Sequence, residues 1–261
     1  MARVDWVSST VEAAGTRLHL MRAGKGRPVL VLHHETGTLD RLPFYDLLAG
    51  SHDVLVPHHP GYSRSPRPDW MRSVRDIAVV YRGLLSELGL SDVALVGLGF
   101  GGWIAAEMAT MAPSDVPRLV LVGAMGVKPG EGDILDLAIT GYIDYARAGF
   151  HDQKAFDRVY GAEPTTDQLE MWDICREMSF RIAWKPYMYS QTLPHLLGSV
   201  KAPSLVVWGD ADRVVPLSAG RRYVEALPDA RLEVVEACGH CVDMEKPEAL
   251  AGLVTQFIAG R

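Results

Sequence analysis

The sequence is poor in cysteine and has no long run of apolar residues. Three cysteines among 261 residues, Cys175, Cys238 and Cys241, are too few and too unevenly spaced for a disulfide framework. Cys238 and Cys241 form a C-x-x-C pair, but no second pair accompanies it, so we interpret both as small buried residues beside a loop. No stretch has the apolar length of a signal peptide or a membrane span, which predicts a soluble cytoplasmic protein without a membrane partner.

Basic residues are also too few, and too scattered, to form a nucleic-acid surface. Lys and Arg number 26 against 32 Asp and Glu, and the net charge is -6. This balance argues against a nucleic-acid partner and favours a small-molecule substrate. The length fits one globular domain with a large core, and a homodimer is compatible with it.

The most informative stretch runs from Asp92 to Ala109. Its apolar residues 93–96 predict a strand buried on both faces, and residues 103–111 predict a helix. The glycine-rich residues 97–102 then form the turn between them.

Strands and helices alternate through most of the chain. After a hairpin within residues 6–23, strands are predicted at 28–33, 54–57, 93–96, 119–123, 205–208 and 232–235. Ser73 and Asp76 predict a capping box at the start of a helix. This order predicts an α/β fold with a doubly wound, mostly parallel sheet. Residues 1–128 and 201–261 would form the core, and the strand-free residues 129–200 a helical cap.

Polar residues follow several of the predicted strands. In parallel sheets the ligand site lies at the carboxyl ends of the strands. Those ends carry His33, His34 and Glu35; His58 and His59; Asp210 and Asp212; and His240.

Three segments, which are the glycine-rich turn and the loops that carry Asp212 and His240, resemble motifs of the α/β-hydrolase superfamily, in its capped branch of C–C hydrolases and esterases. Gly97-Leu98-Gly99-Phe100-Gly101 resembles the nucleophile elbow Gly-x-Ser-x-Gly, with Gly99 where the serine stands. The resemblance implies that Asp212, rather than Asp210, is the acid that orients the base His240. It also implies that the oxyanion is bound by the N–H of Phe100 and by that of His34 or Glu35.

Without a serine, a covalent acyl-enzyme cannot form at the elbow. We therefore expect a hydrolase, or a related lyase, that cleaves an ester, lactone or C–C bond of a small apolar or aromatic carbonyl compound. Water activated by His240 and Asp212 would be the nucleophile, with Glu35 as a second acid/base. The alternatives are a serine hydrolase inactivated by substitution at Gly99, natural or engineered, and a non-catalytic protein that only binds a ligand.

Two further expectations concern the surroundings of Gly99. The apolar residues of the cap would either line a substrate pocket or belong to the hydrophobic core. They are Tyr142, Tyr145, Phe150, Trp172, Trp184, Tyr187 and Met188. Among them, Trp184 and Tyr187 are the candidates for substrate binding. No cofactor is expected. A divalent metal ion held by Glu35, His34 and His58, with His59 or His240 as further candidates, is the alternative to histidines that are hydrogen-bonded within the core.

Overall fold

A computed structural model describes residues 4–260, in which eight strands form one sheet. The strands are β1 (Val7–Ala13), β2 (Thr16–Gly24), β3 (Pro28–Leu32), β4 (Asp53–Pro57), β5 (Ala94–Leu98), β6 (Leu119–Val122), β7 (Ser204–Gly209) and β8 (Ala230–Val235). The helices are α1 (Pro43–Ala49), α2 (Val74–Glu87), α3 (Phe100–Met111), α4 (Tyr142–Ala148), α5 (Gln153–Tyr160), α6 (Thr166–Ala183), α7 (Leu193–Leu196), α8 (Leu217–Ala226), α9 (Val242–Glu245) and α10 (Pro247–Ile258).

The sheet has the order β1-β2-β4-β3-β5-β6-β7-β8. The hairpin of β1 and β2 is antiparallel, β2 pairs antiparallel with β4, and all later neighbours are parallel. Helices connect the parallel strands, as this pairing requires. The predicted α/β fold with a mostly parallel sheet is confirmed.

Apolar cores cover both faces of the sheet. In β5, Leu95 faces the core that includes α2 and α3, while Ala94 and Val96 face the core that includes α1 and α10. Successive side chains of a strand point to opposite faces, so a strand between two cores must be apolar throughout. All five residues of β5 are buried. This fixes the position of the turn that follows it.

The turn after β5 is tighter than the sequence predicts. Residues 97–102 were expected to form it, yet α3 begins at Phe100, so Gly101 and Gly102 are already helical. Close packing explains the difference, because a Cβ on Gly101 would lie 2.1 Å from the carbonyl oxygen of Leu32 and one on Gly102 would lie 2.5 Å from Ala124. These glycines let α3 pack directly against β3 and the loop after β6, despite their low helix propensity.

The predicted capping box of α2 is confirmed. The Ser73 side chain accepts from the Asp76 N–H at 3.2 Å, and the Asp76 carboxylate accepts from the Ser73 N–H at 2.9 Å. The residues between β6 and β7 form α4 to α7 and a 3-10 turn at Leu197–Ser199. Throughout residues 4–260, each helix is too short or too polar to cross a membrane.

Gly101→Ala should lower the free energy of unfolding by about 1 to 3 kcal/mol, because the added methyl must displace the backbone of β3. Urea denaturation measures this loss. Gly252→Ala is the matched control: that glycine is exposed within α10, and an added Cβ meets no atom within 4 Å. The control should be stabilised by about 0.5 to 1 kcal/mol. Equal stability of the two variants would contradict the packing argument.

Candidate active site

Gly99 lies at the sharp turn between β5 and α3, with φ 51° and ψ −114°. Its N–H donates to the carbonyl of Val122 at 2.9 Å, and its carbonyl accepts from Met125 N–H at 3.0 Å. Residues with side chains adopt this backbone conformation only at a cost of about 1 to 3 kcal/mol. Phe100 is the first residue of α3, so its N–H is among those that have no acceptor within the helix and is available to an anion.

His240 and Asp212 form a buried pair beside this turn. Nδ1 of His240 lies 2.9 Å from Oδ2 of Asp212, and both side chains are about 1% exposed. Oδ1 of Asp212 accepts from the N–H groups of Val214 and Val215, each at 2.8 Å. Asp210 is exposed and accepts instead from Cys238 N–H at 3.3 Å. The structure therefore places Asp212, and not Asp210, against the imidazole.

A second buried histidine and carboxylate pair lies on the other side of the turn. Nε2 of His34 lies 2.8 Å from Oδ1 of Asp243, with side chains 1% and 0% exposed. The sequence reasoning missed Asp243. In the sequence, the indication for Asp243 is its position three residues after His240. Because 209 residues separate Asp243 from His34, only the fold brings the two side chains together.

Glu35 completes the site and is held by the segment between β6 and β7. The hydroxyl of Tyr145, in α4, donates to Oε1 of Glu35 at 3.0 Å. Burial in this position, next to the Glu35 carboxylate, raises the pKa of Tyr145 well above its usual value, so the phenol stays protonated as a donor. The other oxygen of Glu35, Oε2, is directed toward Gly99.

Three polar atoms converge on the place where a side chain of residue 99 would stand. A Cβ on Gly99 would lie 2.5 Å from His34 Nδ1, 2.9 Å from Glu35 Oε2 and 2.9 Å from His240 Nε2. All three atoms are buried and, among the residues that the structure describes, have no hydrogen-bond partner. Buried polar atoms are almost always paired in proteins, so this arrangement marks a site for a bound species.

The charges around His240 set its protonation. Burial lowers the pKa of His240, but the carboxylates of Asp212, Glu35 and Asp243 outweigh burial and raise that pKa to about 9. The ring of His34 is the other titratable group that faces it, with 5.1 Å between ring centroids. His240 is therefore a strong base once it has lost its proton.

The other histidines lie outside this cluster. His33 and His59 stack at 3.6 Å and exchange hydrogen bonds with each other's backbone, as core histidines do. His58, a candidate metal ligand, lies instead beside His19 and Asp40, and burial lowers its pKa to about 2. Of the metal candidates, Glu35, His34 and His240 are the ones brought together.

The two aromatic binding candidates are also engaged elsewhere. Trp184 is 53% exposed and packs edge-on against Phe180 and Tyr187. The Tyr187 hydroxyl bonds to the backbone of Leu135 and Leu137. Next to Glu35 and His240 there is instead a cavity of about 10 Å³, lined also by Tyr145, Phe150, Tyr160 and Cys241 among others. It has room for about one water molecule, so a larger substrate requires its lining to move.

Comparison with known proteins identifies the family to which this fold belongs. Residues 29–253 match the alpha/beta hydrolase family, and the chain belongs to that family. A 2-hydroxy-6-oxononadienedioate/2-hydroxy-6-oxononatrienedioate hydrolase of Paraburkholderia phymatum is 30% identical, over 93% of this chain and 91% of that protein. A 2-hydroxy-6-oxo-6-phenylhexa-2,4-dienoate hydrolase of Burkholderia cepacia is 28% identical, over 93% and 91%.

Solved structures show the same fold. A meta-cleavage product hydrolase from Pseudomonas fluorescens IP01 superposes with a TM-score of 0.80 at 22% identity, covering 97% of each chain. The resemblance to the α/β-hydrolases is thus confirmed, and the named relatives are hydrolases, which confirms the enzyme class that the sequence predicted.

Gly99→Ser should destabilise the protein and fail to create a serine hydrolase. The side chain enters an unfavourable backbone region and crowds His34 and Glu35, so unfolding free energy should fall by about 1 to 3 kcal/mol in urea denaturation. Gly89→Ser is the control, since Gly89 also has positive φ (63°) but no atom within 4 Å of an added Cβ; its loss should be smaller. Rapid p-nitrophenyl ester hydrolysis by Gly99→Ser, with a fluorophosphonate adduct at the introduced serine, would contradict this account.

Proposed function

We propose that the protein hydrolyses a C–C bond next to a ketone in a small aromatic or apolar dienoate, using water in place of a serine nucleophile. The observation that supports this most is the convergence of His34 Nδ1, Glu35 Oε2 and His240 Nε2 on the space beside Gly99. A water held there lies at the position from which a serine would attack, next to the N–H of Phe100.

The reaction begins with proton removal from that water. Neutral His240, supported by Asp212, takes the proton while Glu35 fixes the orientation of the water through Oε2. The resulting hydroxide attacks the ketone carbon, and the oxyanion that forms is stabilised by the N–H of Phe100. The charge-assisted bond between His240 and Asp212 stabilises the imidazolium produced in this step.

Collapse of the tetrahedral intermediate breaks the C–C bond. The substrate reacts in its 2-keto form, in which the proton of the 2-hydroxyl has moved to the carbon next to the ketone. The bonding electrons then pass through the C=C bond into the 2-oxo group, whose oxygen receives a proton from the imidazolium of His240 and becomes the 2-hydroxyl of the dienoate. The ketone carbon leaves as a carboxylic acid. For 2-hydroxy-6-oxo-6-phenylhexa-2,4-dienoate, one water is consumed, and benzoate and a 2-hydroxypentadienoate are formed. An ester or lactone would follow the same sequence with an alcohol as the leaving group.

The arrangement favours this function over an inactivated serine hydrolase. Loss of a serine alone would leave one histidine and carboxylate pair facing an empty space. Here Glu35 and the additional pair of His34 and Asp243 also face Gly99, and burying these charged groups is costly unless they interact with something. A protein that only binds a ligand has no need of two oriented imidazoles.

His240→Ala and Glu35→Gln should each lower turnover of 2-hydroxy-6-oxo-6-phenylhexa-2,4-dienoate by about 10²- to 10⁴-fold. The first removes the base that takes the proton from water, and the second removes the carboxylate that orients this water. The loss of the conjugated dienoate's absorbance follows the reaction, and circular dichroism checks the fold. His195→Ala, at an exposed position in α7, is the control and should retain the wild-type rate. A wild-type rate in both site variants would remove these residues from the mechanism.

Turnover by protein kept in chelator should increase with pH up to about 9. The neutral form of His240 is the active one, and Asp212, Glu35 and Asp243 raise its pKa to about 9, so below that pH the active fraction falls about tenfold per unit. The pH dependence of kcat/KM measures this. Asp212→Asn removes one of the carboxylates and should shift the midpoint to lower pH. A rate that is flat between pH 6 and 10 would argue against His240 as the base.

A further inference from the structure

We infer that His34 Nδ1, Glu35 Oε2 and His240 Nε2 form a binding site for one divalent transition-metal ion, with zinc as the representative case. This inference concerns the same space as the proposed water but does not rest on the proposed substrate, because metal binding can be measured without turnover.

Both imidazoles are oriented as metal-binding imidazoles are. Nε2 of His34 lies 2.8 Å from Asp243, and Nδ1 of His240 lies 2.9 Å from Asp212. When each carboxylate accepts an N–H, the lone pair of the opposite ring nitrogen points to Gly99. A metal-binding histidine usually donates the N–H of its other ring nitrogen to a carboxylate. This hydrogen bond fixes the tautomer and makes the metal-binding nitrogen more basic.

Once His240 has lost its proton, which is the state that binds a metal ion, a single water cannot pair with all three free atoms. His34 Nδ1, Glu35 Oε2 and His240 Nε2 are then all acceptors, and a water has only two protons to donate. A cation interacts favourably with all three at once. A divalent ion therefore competes with the proton that the surrounding carboxylates hold on His240 at neutral pH. The three side chains are at most 2% exposed, so bulk solvent does not supply the missing partner.

The charge balance also favours a cation. Glu35, Asp212 and Asp243 are buried together, and among residues 4–260 they form ion pairs with histidines alone and with no Lys or Arg. An uncompensated buried carboxylate is unfavourable by several kcal/mol. A divalent ion between two neutral imidazoles neutralises most of this charge without using a surface side chain.

The distances allow coordination after a small contraction. One ligand atom from each of the three side chains lies within 4.8 Å of the other two. Three atoms at such separations have a point between them that is at most about 2.8 Å from each. Zn–N and Zn–O bonds are about 2.0 to 2.2 Å, so each atom must approach by less than about 1 Å. Because any side chain at residue 99 would occupy this space, the site requires glycine.

Two imidazoles and one carboxylate form a ligand set of intermediate softness, which suits zinc, iron, cobalt or manganese better than calcium or magnesium. Three protein ligands leave a fourth position for water, which zinc activates by lowering its pKa to about 7. In the metal-bound form His240 is a ligand, and the ion takes over from it the activation of water.

A second cluster, of His19, Asp40 and His58, is the internal comparison. Within the described residues, one atom of this cluster, His58 Nε2, is buried without a partner, whereas the site at Gly99 has three. Asp40 already has a cation, because Arg64 forms an ion pair with it at 2.6 Å, and His19 bonds to Ser8. We therefore assign the ion to the site at Gly99, and a variant of His19 serves as the control.

The test is binding of Zn²⁺ and Co²⁺ to protein first stripped with EDTA and dialysed. Calorimetry and elemental analysis should give about one ion per chain, and Co²⁺ should produce the visible absorption of low-symmetry nitrogen and oxygen coordination. His34→Gln, Glu35→Gln and His240→Gln should each bind at least tenfold more weakly, and Asp243→Asn about 10- to 100-fold more weakly. His19→Gln should bind as the wild type does. Thermal denaturation should show stabilisation by zinc in the wild type and its loss in the ligand variants, while circular dichroism reports their fold.

Two results would overturn the inference: no binding to the wild type, or binding that depends on His19 and not on His34. Failure of the proposed function is separate, since it appears as no dienoate turnover by either stripped or metal-loaded protein while stoichiometric binding persists. Full turnover by stripped protein that nevertheless binds zinc supports both the metal site and the direct activation of water by His240.

Discussion

The absence of a side chain at Gly99 is the constraint on which the rest of the site depends. The turn between β5 and α3 holds this residue at φ 51°, where glycine is favoured, and its backbone bonds fix the turn to the loop after β6. The missing Cβ leaves a space that Glu35 and two imidazoles approach to within 2.9 Å. A serine here would occupy the space into which those groups now point. The positions of the three polar side chains therefore depend on the absence of a side chain at Gly99.

The sheet supplies the geometry that this cluster needs. His34 and Glu35 follow β3, Asp212 follows β7 and His240 follows β8, so parallel strands deliver all of them to one edge. Each imidazole is then fixed by its own carboxylate, with two backbone N–H groups holding Asp212 in turn. Side chains fixed at both ends lose little further freedom on binding, which is the basis of preorganisation.

This arrangement has a cost in stability. In the described chain, the three buried carboxylates have histidines as their only ion-pair partners. Such a cluster gives a lower free energy of unfolding than apolar side chains of the same volume would. Tyr145 adds a hydrogen bond to Glu35 from the segment between β6 and β7, and so couples that segment to the state of the site. The pairing of His34 with Asp243 adds a second buried imidazole and carboxylate pair to that of His240 with Asp212.

The sequence by itself determined the fold, because its strands are continuous apolar runs separated by helical patterns, and local patterning is what decides between strand and helix. It also determined the capping box at Ser73 and the identity of Gly99 as the residue at the elbow. Only the tertiary structure decided which polar residues meet. His58 and His34 both follow parallel strands, yet one joins a cluster with His19 and the other faces Gly99. Asp243 lies 209 residues from its partner, and such a contact depends on the packing of α9 against α1, α5 and α10, which no local pattern encodes.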